Sequence, residues 1–236
     1  MKNRRLIRIY WMLLILGIAS FFSLFILTGT GYFGEMPEFE QLENPNTNLA
    51  TQIISSDGEI LGKYYFNDNR TPITYQELPT NLVNALIATE DERFYSHPGI
   101  DIRSTIRAIV FLNRRGGAST ISQQLARQLF VGVRSRNFVQ AILQKAKEWV
   151  LALQIEKRYT KNEIIAMYLN IYDFGNNADG VRSASKIYLN KTPDSLLIED
   201  AAMLVGMLKN SSLYNPRRRP ELVLDRRNVV FQQMFR

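Results

Sequence analysis

The stretch Ala88 to Gly99 reads Ala-Thr-Glu-Asp-Glu-Arg-Phe-Tyr-Ser-His-Pro-Gly, with Glu90 and Asp91 standing where an apolar run ends. Leu82, Val83, Leu86 and Ile87 mark one face of a helix behind Pro79, and the next position on that face is Glu90. A carboxylate aimed toward an interior is poorly solvated, which makes it a better base near neutral pH. The same acidic pair could simply end the helix and cap the following turn, and spacing alone favours that plainer use.

A charge asymmetry lies downstream. Between Asp101 and Glu148 there is no acidic residue, while Arg103, Arg107, Arg114, Arg115, Arg127, Arg134, Arg136, Lys145 and Lys147 fall inside. Unopposed cations of this density suggest a polyanionic partner. Within them Gly116-Gly-Ala-Ser-Thr120 leads into a helix that opens with Gln123 and Gln124. Free N–H groups at such a terminus, beside glycines that admit a ligand, suit phosphate, although a glycine loop with a Ser/Thr cap has the same look. Lys145 and Glu148 are three apart on one helix face, a spacing common in surface ion pairs. From Ile100 to Leu112, Ile102, Ile106, Ile109 and Val110 alternate with Arg103 and Arg107, which fits a helix lying in a lipid interface and equally an ordinary core helix.

These groups need elements to hold them. Ile9 to Gly34 carries no charge and is about one bilayer crossing, preceded by Lys2, Arg4, Arg5 and Arg8. The cations place residues 1–8 in the cytoplasm, 9–30 in the membrane and the rest on the far side. Residues 31–50, with Pro37 and Pro45, read as a stalk. Thr51–Ser55 and Glu59–Phe66 around Asp57–Gly58 read as a hairpin. Helical periodicity then runs through Thr120–Phe130, Phe138–Ile155, Lys161–Tyr172 and Leu196–Leu208, and both Thr120-x-x-Gln123 and Thr160-x-x-Glu163 fit a capping box. The expected fold is mainly α with one small hairpin, and the 236 residues hold an anchor plus a single domain. No cysteine and a single histidine exclude disulfides and thiol nucleophiles and argue against Cys/His zinc sites. A domain outside the cytoplasm with a low net charge is a poor nucleic-acid binder. Ser183-Ala-Ser-Lys186 matches an acyl-enzyme signature without its partner motifs, and is assigned to a helix surface.

Taken in order, Glu90-Asp-x-x-Phe94-x-x-His97-x-Gly99, Gly117-x-Ser-Thr-Ile-Ser-Gln-Gln-Leu-Ala-Arg127, Lys145-x-x-Glu148 and Met167-Tyr-Leu-Asn170 resemble the peptidoglycan glycosyltransferase family. These are the transglycosylase modules of bifunctional penicillin-binding proteins and their monofunctional relatives. The likeness continues through Gly180-Val-x-x-Ala184 and Glu199-Asp-Ala-Ala to Tyr214-Asn-Pro216, and so covers residues 51–220.

The resemblance implies a lysozyme-like fold with a cleft facing the membrane and lipid II as both acceptor and lipid-linked donor. It makes Glu90 the general base on the acceptor 4-hydroxyl, in an inverting displacement that expels undecaprenyl pyrophosphate and needs no covalent intermediate. Glu148 is the second family carboxylate. Ser119, Thr120, Gln123, Gln124, Arg127, Lys145, Lys147 and Asn170 fall on substrate-binding motifs, while Asp91 and Phe94 would shape the cleft near the base. Nascent glycan strands, membrane lipid and a transpeptidase within a cell-wall synthesis complex are the implied partners. No cofactor is required, and a divalent ion, Mg or Mn, has room to bridge pyrophosphate and carboxylate. Gln144 departs from the family, which usually has arginine there, and this leaves Arg134 or Arg136 to supply the missing charge. Residues 221–236 resemble the exit toward a further domain in bifunctional proteins, with a monofunctional enzyme as the second reading. The competing functions are a lysozyme-like or lytic enzyme and a non-catalytic lipid II-binding module.

Overall fold

The computed structural model describes residues 2–34, 36, 51–57, 60–64, 71–111 and 117–236. Most of the expected stalk lies outside these residues, as do Arg114, Arg115 and Gly116. Among the described residues the chain is mainly helical, with one antiparallel two-stranded sheet.

Helix α1, Lys2–Gly29, begins earlier than the expected span, so Arg4, Arg5 and Arg8 ride on its first turns. Its 28 residues reach about 42 Å, beyond the ~30 Å of bilayer hydrocarbon. Within Arg4–Gly29 an 18-residue stretch has a mean hydropathy of 2.3, and the helix is long and apolar enough to cross a membrane. Its C-terminal end is docked, since Phe25 stacks on Trp149 with ring centroids 5.5 Å apart. Strand β1, Thr51–Ile54, stops one residue short of what the alternation suggests, and it pairs with β2, Ile60–Tyr64, while Glu59, Tyr65 and Phe66 lie outside the described residues. An irregularity between Ile53 and Ile54 shifts the register, which pairs Ile54 with Ile60.

The core gathers around α2, Thr80–Glu90, whose Leu82, Val83, Ala85 and Leu86 are buried. Fully burying a side chain such as Leu82 contributes about 1.5–3 kcal/mol. Helix α3, Ile102–Val110, follows and keeps Ile102, Ile106 and Val110 exposed. Helix α4, Ile121–Ala126, runs on as a π-helical turn, Arg127–Val131, where the periodicity had suggested one unbroken helix. Helix α5, Phe138–Arg158, starts at Asn137, whose side chain accepts from the N–H groups of Val139 and Gln140. Helix α6, Lys161–Ile171, carries the full Thr160/Glu163 capping box. At Thr120 only half of the box forms: its hydroxyl accepts from the Gln123 N–H at 3.2 Å, while the Gln123 side chain turns elsewhere.

Helix α7, Gly180–Ala184, and its π-helical continuation, Ser185–Leu189, bury Ser183 and leave Lys186 exposed, so the Ser-x-x-Lys look-alike builds no site. Helices α8, Ile198–Met207, and α9, Pro220–Met234, close the domain by packing on each other and on α2. Val230 belongs to the core and Val223 is buried. The expected linker start, 221–236, is therefore mostly a helix that packs on α2 and α8 through Val223 and Val230, while Leu222, Leu224 and Val229 stay exposed.

Candidate active site

Glu90 is the last residue of α2 and is half-buried, a wall position and not a sealed one. Its Oε2 accepts from Gln124 Nε2 at 2.9 Å. The other end of that amide, Gln124 Oε1, accepts from the Tyr168 hydroxyl at 3.0 Å. Tyr168 is fully buried on α6, and burial, reinforced by the charge of Glu90, raises its phenol well above the ordinary tyrosine value. A carboxylate oxygen can only accept, so the Gln124 NH2 faces Glu90 and its Oε1 is left to accept from the phenol. Tyr172, one turn on, is pushed up to about 12 by burial and then by Glu90, and its hydroxyl donates to the carbonyls of Met207 and Leu208.

The chain leaves α2 at Asp91, which is buried. Its Oδ2 accepts from the Ile121 N–H at 3.1 Å, and its carboxylate takes the His97 Nε2 at 3.0 and 3.1 Å. His97 Nδ1 accepts from the Gly99 N–H, so Nε2 carries a proton and donates. Thr120 Oγ1 donates to the Gly99 carbonyl at 2.6 Å. Gly99 has φ +94°, and a Cβ there would meet the Ala152 carbonyl at 3.0 Å. Asp91, His97, Gly99 and Thr120 thus tie the end of α2 to the start of α4 and the side of α5.

A second cluster sits on α5. Lys145 Nζ donates to Ser119 Oγ at 3.0 Å, Gln123 Oε1 at 3.0 Å and Glu148 Oε2 at 2.7 Å, which uses all three ammonium donors. Burial pushes the Lys145 ammonium below its ordinary value; Glu148 opposes this, and the charges of Arg127 and Arg134 push the same way as burial. Arg127 also acts on Tyr168, so its charge reaches both the Glu90 end and the Lys145 end. Among the described residues no ion pair ties Arg127 or Arg134 to a carboxylate. Gln123 and Gln124 are adjacent on α4, about 100° apart around the helix, and one reaches Lys145 while the other reaches Glu90.

Several expected substrate contacts are placed elsewhere. Phe94 is fully buried beneath the Lys161 ammonium, 4.3 Å from its ring centroid, so it packs the core and lines no cleft. Asp91 and Thr120 are buried in the tie just described. The free N–H groups expected at the start of α4 are taken at Ile121 by Asp91 and at Gln123 by Thr120, because a carboxylate from the same chain already occupies the anion position. Asn170 clamps one residue, accepting from the Ile73 N–H at 2.9 Å and donating to its carbonyl at 2.8 Å. Lys147 lies about 200° around α5 from Lys145, and its Nζ is 2.9 Å from where a Cβ on Gly34 would sit, at the base of α1. Arg136 is exposed in the loop before α5 and no contact draws it to the cluster. The structure brings together Glu90 with Gln124, and Lys145 with Ser119, Gln123 and Glu148.

Tyr168 is the functional group that sequence reasoning passed over. Its signal was a tyrosine on the apolar face of α6 within Met167-Tyr-Leu-Asn170, which reads as core until its hydroxyl is seen to have a partner. The donor set also bears on a divalent ion. Glu148, the carboxylate beside the cations, is engaged by Lys145, and among the described residues no group of three or more His, Asp or Glu could hold a metal.

Residues 57–235 match a family model described as Transglycosylase. Penicillin-binding protein 1A of Escherichia coli (strain K12) is 37% identical over 205 residues, covering 85% of this chain and 23% of that protein. Penicillin-binding protein 2a of Streptococcus pneumoniae (strain ATCC BAA-255 / R6) is 43% identical over 164 residues, covering 70% of this chain and 22% of that protein. The crystal structure of penicillin-binding protein 1A from Haemophilus influenzae aligns with 80% of this chain and 18% of its own, at 20% identity and a TM-score of 0.40. The chain spans about a quarter of the length of the curated relatives it matches.

Proposed function

This chain belongs to the transglycosylase family, and on that footing we propose that it polymerises lipid II into β-1,4 glycan strands with Glu90 as the general base. The observation that carries the proposal is the pair Gln123 and Gln124, which links a carboxylate to a cation cluster through one short helix. Deprotonating a sugar hydroxyl and stabilising a departing pyrophosphate are the two tasks the reaction sets.

The Gln124 amide holds Glu90 by its Oε2. The acceptor's 4-hydroxyl gives its proton to Glu90 as its oxygen attacks the donor's anomeric carbon. The bond from that carbon to the pyrophosphate oxygen breaks with inversion, and undecaprenyl pyrophosphate leaves with the bonding electrons. Arg127 and Arg134 meet the developing negative charge, and Lys145, its three donors taken, acts on it through its charge alone. Glu148 keeps Lys145 charged and aimed. Asp91 and His97 hold α4 in place, acting through structure and not on substrate.

A long-tailed substrate has to be met at the membrane. Helix α1 supplies the anchor, with the catalytic domain on the extracytoplasmic side of the bacterial cytoplasmic membrane. The exposed Ile102, Ile106 and Val110 of α3, beside Arg103 and Arg107, suit the headgroup boundary. Incubation with labelled lipid II tests the proposal. Glycan strands from the wild type and none from Glu90→Gln are the expected result. Normal polymerisation by Glu90→Gln removes Glu90 as base, and cleavage of preformed peptidoglycan in place of synthesis makes the enzyme a hydrolase.

A further inference from the structure

Gln144 stands immediately before Lys145 on α5, and its side chain reaches back to the loop over residues 132–137. Its Oε1 accepts from the Ser135 N–H at 2.7 Å, and its Nε2 donates to the Val133 carbonyl at 3.1 Å. These are the two peptide groups on either side of Arg134. A further tie holds the same loop: the Ser135 hydroxyl donates to Gln140 Oε1 at 2.7 Å and accepts from the Asn137 N–H at 3.1 Å. The backbone at Arg134 is bracketed while its side chain remains exposed, and its charge is felt at Lys145.

We propose that Gln144 is a positioning residue that holds Arg134 beside Lys145, so that the loop supplies a further cation to a pyrophosphate-class ligand. The proposal deepens the reading of the site as a glycosyltransferase centre and rests on it. The choice of side chain follows from hydrogen-bond chemistry. An amide offers an acceptor and a donor at once, which is what the Ser135 N–H and the Val133 carbonyl require. A guanidinium only donates, so an arginine at 144 would bring its own charge and leave the Ser135 N–H without this acceptor. Glutamine at this position gives up one charge and fixes the place of another.

A double-mutant cycle with Gln144→Met and Arg134→Ala in the full chain tests this. Two quantities are read: calorimetric binding of inorganic pyrophosphate, and kcat and KM for lipid II polymerisation, with thermal unfolding as a check on folding. Each single variant is expected to weaken pyrophosphate binding about fivefold. The double variant is expected to be no weaker than Arg134→Ala alone, because Gln144 acts only through Arg134. Losses that multiply in the double variant overturn the proposal, as does Gln144→Met binding like wild type, or a wild type that does not bind pyrophosphate. A wild type that makes no glycan but shows the coupled loss of pyrophosphate binding removes the glycosyltransferase reading and supports the positioning role.

Discussion

Replacing Tyr168 by phenylalanine removes one oxygen from a fully buried ring and leaves the ring's packing in place. The lost hydrogen bond, 3.0 Å to Gln124 Oε1, contributes about 1 kcal/mol net, and the orphaned amide oxygen adds up to about 1 kcal/mol because Gln124 is only half-buried. For a domain of this size a loss of about 1–2 kcal/mol lowers Tm by roughly 2–8 °C. The effect on chemistry is separate. The Gln124 amide loses the donor that anchors its Oε1 on the side away from Glu90, and about 1 kcal/mol of misorientation corresponds to a roughly fivefold fall in kcat. KM for lipid II is expected to stay within about twofold, since Tyr168 touches the partner of Glu90 and not the substrate. The fall is the same across the neutral range, because burial keeps the phenol protonated there. Polymerisation of labelled lipid II, read beside thermal unfolding, checks both numbers. A variant with lower Tm and unchanged kcat would show that Tyr168 serves the core alone and that Gln124 needs no orientation.

Other perturbations separate charge from scaffold. Glu148→Gln removes the group that opposes burial at Lys145, so the ammonium loses its proton at lower pH and the alkaline limb of the polymerisation profile moves down; an unmoved limb contradicts the role given to Lys145. Asn170→Ala breaks both bonds to Ile73 and costs about 2–3 kcal/mol in urea unfolding with KM unchanged, whereas a raised KM at constant stability would return Asn170 to the substrate. Glu77 is held down to about 2 by the Thr74 N–H, the Thr74 hydroxyl and then Arg182. A depressed carboxylate stabilises above its unfolded value of 4.5 and loses that contribution as pH falls toward 2, so Glu77→Gln should flatten the acid limb of Tm against pH. An acid limb as steep as the wild type's would place the acid sensitivity elsewhere.

The chemistry-bearing residue types and the helices that carry them were legible in the chain because both depend on short-range order. The 3.6-residue period put Glu90 at the end of an apolar face, and the run without acids between Asp101 and Glu148 gathered the cations into one stretch of chain. The cap at Thr160 starts its helix through bonds made within a few residues, as the spacing to Glu163 indicated. What lay beyond the sequence was which polar side chains face the reaction and which face the scaffold. Asp91, Phe94, Thr120, Lys147 and Asn170 sit in or beside motifs that look like ligands, and tertiary packing turns them to Ile121, the core, Gly99, α1 and Ile73. Periodicity gives the face of a helix but not the neighbour across from it. Only the approach of α4 to α2, α5 and α6 decided that Gln124 would hold Glu90, that Gln123 would hold Lys145, and that a buried tyrosine would orient the first of them.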